Sequence, residues 1–351
     1  MRWRLLSNSE ELLVPISTSS QVHSAREHLY LELEHDGLFG YGEIAPQPVE
    51  LNGDAGVTEV LAEWTNRLCE TFREVVVREG GAPPWFRVAR FSGSRSSAAF
   101  AGTLLEMAVL DLELKQTQKS LGELWEPKFE TPFQVTMSGS DSSRWLSSPG
   151  AKRLRIKVGR HGLDAETISL VQALPVPILL DFNCGAHSLH QVIELVDTLG
   201  DVVDVVEQPF APGNLVDHAL LAREVSCRVS LDEGVRTLND VRLIARHDAA
   251  SLLCIKPARV GGYANARALA LTAKDLGLQT YVGGFFESPL ARHTNKILAA
   301  SITPEASDIS PVITRSTTST DWVGEKYGLG LAPTQEFLSR WREVAHSTIS
   351  V

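Results

Sequence analysis

The chain has 351 residues, of which 43% are apolar and 22% charged, and these values exclude a disordered, collagen-like or coiled-coil protein. At about 150 residues per domain, this length allows two domains or one barrel with an appendage. The 33 basic and 43 acidic residues give a net charge of −10, which argues against binding to nucleic acid or to an anionic membrane surface. A small acidic substrate would therefore need local positive charge.

The four cysteines are scattered through the chain without a C-x-x-C pair, and this pattern is typical of free thiols in a reducing compartment. Residues 1–15 lack the apolar stretch of a signal peptide, and no window approaches the roughly 18 apolar residues of a membrane span. We therefore expect a cytoplasmic protein that does not cross a membrane.

The first third of the chain predicts a small α+β unit. Apolar residues alternate on both sides of an Asp36-Gly37 turn within residues 28–45, as in an antiparallel hairpin. Two later segments, 58–79 and 98–115, carry apolar residues at helical spacing.

From about Thr131 onward, short runs rich in Val, Ile and Leu alternate with amphipathic helical segments. Strands that are apolar on both faces and separated by helices predict a parallel sheet covered by helices. The predicted strands are Phe133–Met137, Leu154–Val158, Val176–Leu180, Val202–Val206, Arg228–Leu231, Ser251–Ile255 and Leu278–Val282. The helices that separate them are predicted at Asp164–Ala173, Leu189–Leu199, Leu238–Ala245 and Ala264–Leu276.

Five consecutive runs end on, or next to, a charged residue, namely Lys157, Asp181, Glu207, Asp232 and Lys256, at intervals of 24, 26, 25 and 24 residues. A closed barrel brings the carboxyl ends of all its strands around one mouth, whereas an open sheet gathers its ligand mainly at a switch point. The charged ends therefore favour a barrel.

The three acidic strand ends predict a metal site. Asp181, Glu207 and Asp232 would converge at the mouth, where carboxylates repel one another unless protons or a cation neutralise them. A single such residue is usually a solvated loop acid, but three at matching positions favour binding of Mg²⁺ through oxygen ligands.

Two lysines are candidates for acid/base chemistry. Arg155 and Lys157 are two residues apart on one strand and therefore point to the same side of the sheet, although a surface pair has the same spacing. Burial and a neighbouring positive charge would both favour a neutral Lys157, which could then act as a general base. Lys256 is expected on the far side of the ring, so that a substrate would lie between the two lysines.

These strand ends carry motifs that resemble the enolase superfamily, and more narrowly its muconate-lactonizing subgroup with the o-succinylbenzoate synthases and N-succinylamino acid racemases. The barrel motifs are R-I-K-V-G (155–159), L-D-F-N (180–183), V-E-Q-P-F (206–210), L-D-E-G (231–234), I-K-P-A-R-V-G-G (255–262) and G-G-F-F-E-S (283–288). The N-terminal part adds P-I-S-T-S (15–19), G-Y-G-E-I-A-P (40–46) and A-V-L-D-L-E-L-K (108–115). Six barrel motifs in order at barrel spacing make the resemblance specific.

The resemblance implies a (β/α)₇β TIM-like barrel over residues 116–314, an α+β capping domain over 1–115, and a segment 315–351 that returns to the cap. It implies Mg²⁺ bound by Asp181, Glu207 and Asp232, with Lys157 and Lys256 as catalytic residues and a small carboxylate as substrate. The expected substrate-binding residues are Arg155, Asn183, Thr18, Ser19, Gly283 and Gly284.

The implied reaction is abstraction of the proton α to a carboxylate, most closely the dehydration performed by o-succinylbenzoate synthases in menaquinone biosynthesis. An N-succinylamino acid racemase or a muconate cycloisomerase would need similar residues, and a metal-dependent binding protein without catalysis is a remote alternative. Residues 285–287 lack the Asp-x-Asp expected of a dipeptide epimerase.

The chain departs from the family at one position, because the usual Lys-x-Lys has Arg155 in place of its first lysine. Arginine keeps the positive charge beside Lys157 and could hold a substrate carboxylate, but it cannot exchange a proton. The base proposed here is the second residue of the motif, so the departure is compatible with the implied chemistry.

Other motifs carry less weight. Cys184, His187 and His190 superficially suggest a transition-metal site, but they are expected in a loop and at the start of a helix. The sequence contains no strand-linked G-x-G-x-x-G, no G-x-x-x-x-G-K-[ST] and no G-x-S-x-G, so dinucleotide, nucleotide and serine-hydrolase functions are not indicated.

Overall fold

A computed structural model describes residues 1–17, 22–93, 95–139, 148–174, 176–309 and 319–350. Its N-terminal part contains a four-stranded antiparallel sheet in the order β13-β1-β2-β3. The strands are β1 (Arg2–Ser17), β2 (Val22–His35), β3 (Leu38–Ile44) and β13 (Arg342–Thr348). Two short strands, β11 (Trp322–Gly324) and β12 (Leu331–Pro333), pair with each other in a separate sheet. The predicted hairpin is confirmed as β2 and β3, which are joined by a turn at Asp36 and Gly37.

Helices cover one face of this sheet. A helix at Val57–Glu79 contains a π-helical turn at Trp64–Leu68, and a short helix lies at Trp85–Val88. The longest described helix, Ser96–Gln116, packs against β3 and is buried around most of its circumference, as its dense apolar pattern requires. The predicted helices 58–79 and 98–115 are therefore confirmed to within two residues at each end.

Seven parallel strands form the second sheet, in which sequential strands are neighbours throughout, from β4 to β10. They are β4 (Gln134–Ser138), β5 (Arg153–Lys157), β6 (Ile178–Asp181), β7 (Val203–Glu207), β8 (Arg228–Leu231), β9 (Leu252–Ile255) and β10 (Gln279–Val282). The main helices around the sheet are Ala165–Ala173, Leu189–Leu199, Leu215–Glu224, Leu238–Arg246, Tyr263–Asp275 and Pro289–Ile302.

The segment around Ser307 closes the ring between β10 and β4. The Gln134 amide donates to the Ser307 carbonyl at 3.0 Å, and the Asp308 amide donates to the Val282 carbonyl at 2.8 Å. The eighth position of the barrel is thus filled by a short extended segment that pairs with both edge strands. The predicted fold class, a TIM-like barrel with an α+β capping domain, is confirmed.

Two buried carboxylates of the N-terminal unit bind the amino ends of barrel helices. Glu43 accepts hydrogen bonds from the amides of Ser288 and Ala291, at 2.6 and 3.0 Å. Glu106 accepts one from the amide of Ala264 at 2.8 Å. Because the first amides of a helix lack intrahelical partners and carry partial positive charge, these contacts fix the cap onto the barrel. The domain bounds at 115 and 314 stay a prediction.

Candidate active site

The candidate residues meet at the carboxyl ends of five adjacent strands. Lys157, Asp181 and Glu207 are the last residues of β5, β6 and β7, while Asp232 and Lys256 directly follow β8 and β9. All five side chains are buried. Parallel strands of similar length end at one rim, so the regular sequence spacing becomes a spatial cluster.

Arg155 joins two of the three carboxylates. Its Nη2 lies 2.6 Å from Asp181 Oδ2 and also donates to Glu207 Oε1, while its Nη1 donates to Asp308 Oδ2 at 3.2 Å. Burial raises the pKa of Asp181, but the charges of Arg155 and Lys157 outweigh this effect and hold it below the usual value. The opposite oxygen of Glu207 accepts the hydroxyl of Tyr281.

Asp232 is neutralised by a different pair of cations. Lys256 Nζ donates to its Oδ2 at 2.8 Å, and Arg259 donates to its Oδ1. Lys256 also lies over the ring of Phe285, with its Nζ 4.7 Å from the ring centroid. Burial lowers the pKa of Lys256, but the contact with Asp232 outweighs burial, and the pKa lies above its ordinary value.

Lys157 faces the same space from the other side of the cluster. Its Nζ contacts Asp181 Oδ2 and donates to Asn183 Oδ1 at 2.7 Å. The Asn183 amide group in turn donates to Glu233 Oε1 at 3.2 Å. Burial and the neighbouring charge of Asp232 raise the pKa of Glu233. Asn183 therefore orients the lysine and connects it to Glu233, which lies just after β8.

A cavity lies above the cluster and is lined by Arg155, Lys157, Asn183, Lys256 and Gly284, together with residues of the cap. The cap supplies His23, Arg26, Gln47, Leu51, Asn52 and Asp54 to its wall. Burial, with smaller contributions from the positive charges of Arg26 and Lys157, lowers the pKa of His23 to about 4. His23 is thus neutral at pH 7, and the positive charge at the cavity wall comes from arginine and lysine side chains.

The other predicted positions have different outcomes. Gly283 adjoins the cluster, where a Cβ would lie 2.5 Å from Cys254 Sγ and 2.9 Å from Lys256 Cγ. Thr18 and Ser19 lie outside the described residues, so their predicted contact with substrate stays a prediction. His190 is exposed on a helix, where it pairs with Glu194.

Several charged residues at the site were not among the predicted site residues. Arg259 forms a two-pronged ion pair with Asp54 of the cap, at 2.9 and 2.6 Å, in addition to its contact with Asp232. Arg26 is buried against the ring of Phe285 and donates to Gln47. Of these residues, only Arg259 belongs to a quoted motif, I-K-P-A-R-V-G-G (255–262).

The donor set suits a hard divalent cation, because three buried carboxylates at neighbouring strand ends offer only oxygen ligands. Their oxygens are contacted by cationic side chains of the chain itself, with Arg155 between Asp181 and Glu207. One carboxylate oxygen of Glu207 and one of Asp232 lie within 4.8 Å of each other, with the thiol of Cys254 beside them, and Asp181 is not part of this group. The three carboxylates are suitable ligands for Mg²⁺. For the ion to bind, Arg155 would have to move away from Asp181 and Glu207.

Residues 140–319 match the family described as enolase C-terminal domain-like, and the chain belongs to this family. The fold and the arrangement of charged strand ends agree with that membership. Over 99% of its length the chain also superposes on a member of the enolase superfamily from Listeria innocua Clip11262, with a TM-score of 0.82, 20% identity and 97% of that chain covered.

Two curated relatives narrow the comparison. An o-succinylbenzoate synthase of Enterococcus faecalis is 31% identical over 54% of this chain, and the match spans about half (54%) of the relative's length. An N-succinylamino acid racemase of Thermus thermophilus is 29% identical over 80% of this chain and 77% of the relative. The chain is thus similar to enzymes with two different reactions.

Within the part of the chain that the structure describes, no helix is both long and apolar enough to cross a membrane.

Proposed function

We propose that the protein is an Mg²⁺-dependent enzyme that removes the proton α to a carboxylate, and specifically an o-succinylbenzoate synthase. Its substrate would be 2-succinyl-6-hydroxy-2,4-cyclohexadiene-1-carboxylate, and its products 2-succinylbenzoate and water. The observation that carries the proposal is the placement of Lys157 and Lys256, which line one cavity from strands four positions apart in the ring. The similarity to curated o-succinylbenzoate synthases supports the choice of substrate.

In this mechanism Lys157 is the general base and then the general acid. In the structure Lys157 is paired with Asp181. In the metal-loaded enzyme, where Asp181 would bind Mg²⁺ instead, the neutral amine of Lys157 would take the proton from C1 of the ring, and the C–H electron pair would move into the carboxylate to form an enediolate. The resulting ammonium then gives the same proton to the departing C6 hydroxyl, so that water leaves while the C1–C6 double bond forms. Asn183 accepts a hydrogen bond from Lys157 Nζ at 2.7 Å and thereby holds the amine at the cavity wall.

Lys256 would act through its charge. Held by Asp232 and seated over Phe285, its ammonium faces the cavity opposite Lys157 and can stabilise negative charge on the substrate. When bound by Asp181, Glu207 and Asp232, Mg²⁺ supplies further positive charge toward the substrate carboxylate. Residues of the cap, among them Arg26 and Asn52, line the cavity over these groups.

The test is an assay of the purified protein with Mg²⁺ and the cyclohexadiene substrate, followed by the appearance of the aromatic product. Lys157→Ala is expected to lower kcat by at least about a thousandfold, since the base and the acid are lost together. Lys256→Arg keeps the positive charge and is expected to retain measurable dehydration. A protein that gives no product with the cyclohexadiene substrate would contradict the synthase assignment.

N-succinylamino acid racemisation is the second candidate, since two lysines on opposite sides of one cavity can each serve one enantiomer. Racemisation needs proton exchange at both lysines, and arginine cannot provide it. Incubation of N-succinylamino acids in D₂O would reveal this activity as deuterium at the α carbon. Under the racemase assignment, Lys256→Arg should abolish turnover of both enantiomers, whereas under the synthase assignment dehydration should persist.

A further inference from the structure

Arg155 occupies the space between two carboxylates of the candidate metal site. One nitrogen of its guanidinium, Nη2, is within 2.6 Å of Asp181 and also contacts Glu207. The side chain is only 3% exposed. The group that keeps these two acids from repelling one another is therefore a side chain of the chain itself.

We propose that Arg155 is an internal counter-ion that competes with the divalent cation for Asp181 and Glu207, so that metal binding requires its guanidinium to withdraw toward Asp308. The inference rests on the metal site of the proposed function and adds a control on its affinity. It concerns the position at which this chain has arginine in place of the first lysine of the Lys-x-Lys pattern.

The geometry gives Arg155 a second anchor. Its Nη1 already donates to Asp308 Oδ2 at 3.2 Å, and Asp308 lies in the segment that closes the barrel between β10 and β4. Asp308 has a second cation near it, because Arg292 Nη1 lies 4.0 Å from its Oδ1. A guanidinium that releases Asp181 and Glu207 can therefore keep an acidic partner while it remains buried.

The identity of the side chain matters because only a fork-shaped cation spans these acceptors. The guanidinium binds Asp181, Glu207 and Asp308 together through two nitrogens, whereas the single ammonium of lysine is a compact point charge. Two buried carboxylates without a partner would be strongly destabilising. Arg155 therefore stabilises the metal-free folded protein and, by the same contacts, weakens its affinity for the cation.

The experiment is calorimetric titration of Mg²⁺ into EDTA-stripped wild type, Arg155→Lys and Arg155→Met. We expect Kd for Mg²⁺ to fall by about tenfold or more in Arg155→Met and by a smaller factor in Arg155→Lys. Arg153→Met is the matched control, since Arg153 is buried on the same strand and the same face but bonds Gln134, Asp204 and the carbonyl of Ala306. Its Kd should equal that of the wild type.

Thermal unfolding gives a second readout that does not depend on turnover. Without metal, the Tm of Arg155→Lys should lie below that of the wild type, and saturating Mg²⁺ should raise it by more than it raises the wild-type Tm. If Arg155→Met does not fold, the Kd for Mg²⁺ and the Tm of Arg155→Lys, each compared with the wild-type value, test the proposal.

Equal or weaker Mg²⁺ binding in the Arg155 variants would overturn the inference and leave the metal site in place. Absence of Mg²⁺ binding in the wild type and in all variants would overturn the inference together with the metal site of the proposed function. Tight Mg²⁺ binding without turnover of any α-carboxylate substrate would contradict only the proposed reaction.

Discussion

Asp54 of the cap and Arg259 of the barrel form a buried ion pair with two hydrogen bonds, at 2.9 and 2.6 Å, although they are 205 residues apart in the sequence. The same guanidinium contacts Asp232, one of the three candidate metal ligands. The position of the cap loop is thus tied directly to the position of a carboxylate at the reaction centre.

Asp54→Asn is therefore expected to destabilise the protein and to disturb the site. Arg259 would keep its contact with Asp232 but lose the charged partner of its other two hydrogen bonds, and such a loss costs about 1–3 kcal/mol. KM should rise as the loop loosens, and chemical denaturation should show the lower free energy of unfolding. Arg236→Met is the matched control, since Arg236 contacts Asp54 at 3.1 Å from a half-exposed position and should cost much less. Equal losses in both variants would contradict this account.

Removal of the divalent cation should abolish activity but leave the fold intact. Arg155, Lys157, Lys256 and Arg259 contact the three carboxylates, so the acids do not depend on a cation for neutralisation. Exhaustive EDTA treatment followed by circular dichroism should give an unchanged spectrum, and added Mg²⁺ should restore turnover. Full activity in EDTA would exclude the metal assignment.

Glu106 should make stability depend on pH. Burial raises its pKa from 4.5 to about 8, so the folded state holds a proton that the unfolded chain has released between these values. Stability from this group is therefore present below about pH 4.5 and is lost as the pH rises toward 8, by up to about 5 kcal/mol.

Glu106→Gln keeps the acceptor for the Ala264 amide but cannot ionise. Urea unfolding at pH 5 and pH 8.5 should show near-equal stability of the two proteins at the lower pH and a more stable variant at the higher pH. If the free energies of unfolding of variant and wild type differ by the same amount at pH 5 and pH 8.5, Glu106 is not a buried protonated carboxyl.

Gly283→Ala tests the packing around Lys256. The new Cβ would lie 2.9 Å from Lys256 Cγ and 2.5 Å from Cys254 Sγ, so the lysine must shift. Overpacking of this kind costs about 1–3 kcal/mol, and kcat should fall because the ammonium moves relative to the cavity. Gly213→Ala is the control, since its added Cβ meets no atom within 4 Å. Wild-type kcat in Gly283→Ala would show that the position of Lys256 is not critical.

The barrel could be predicted because its signals are local. Five of the seven strands are short apolar runs that end on, or next to, a charged residue, and the 24- to 26-residue spacing of Lys157, Asp181, Glu207, Asp232 and Lys256 marks one barrel unit. The predicted strand bounds differ from the observed ones by at most two residues. Such boundary errors are small compared with the period of the pattern, so they did not disturb the fold assignment.

The missed features depend on contacts between distant segments. The segment at Ser307 that closes the ring is too short to show any periodicity, and β13 was not predicted as a strand because its partner β1 lies more than 300 residues away. Strand β1 was also missed, although it pairs with β2, the next strand in the chain. The spacing of Arg155 suggested a group beside Lys157, but it could not show the contacts to Glu207 and Asp308. Contacts between side chains on different strands of a barrel produce no periodic pattern in the amino-acid sequence.

The pairing of β1 with β13 has a consequence for the order of folding. Trp3 is paired with Ser347, and the amide of Ile349 donates to the carbonyl of Met1 at 2.8 Å. Residues more than 340 positions apart in the sequence are therefore directly hydrogen-bonded. Contacts of such long separation carry a large loop-closure entropy until the intervening chain is compact. We therefore expect the barrel to collapse first and to act as the template on which the sheet of the cap is completed.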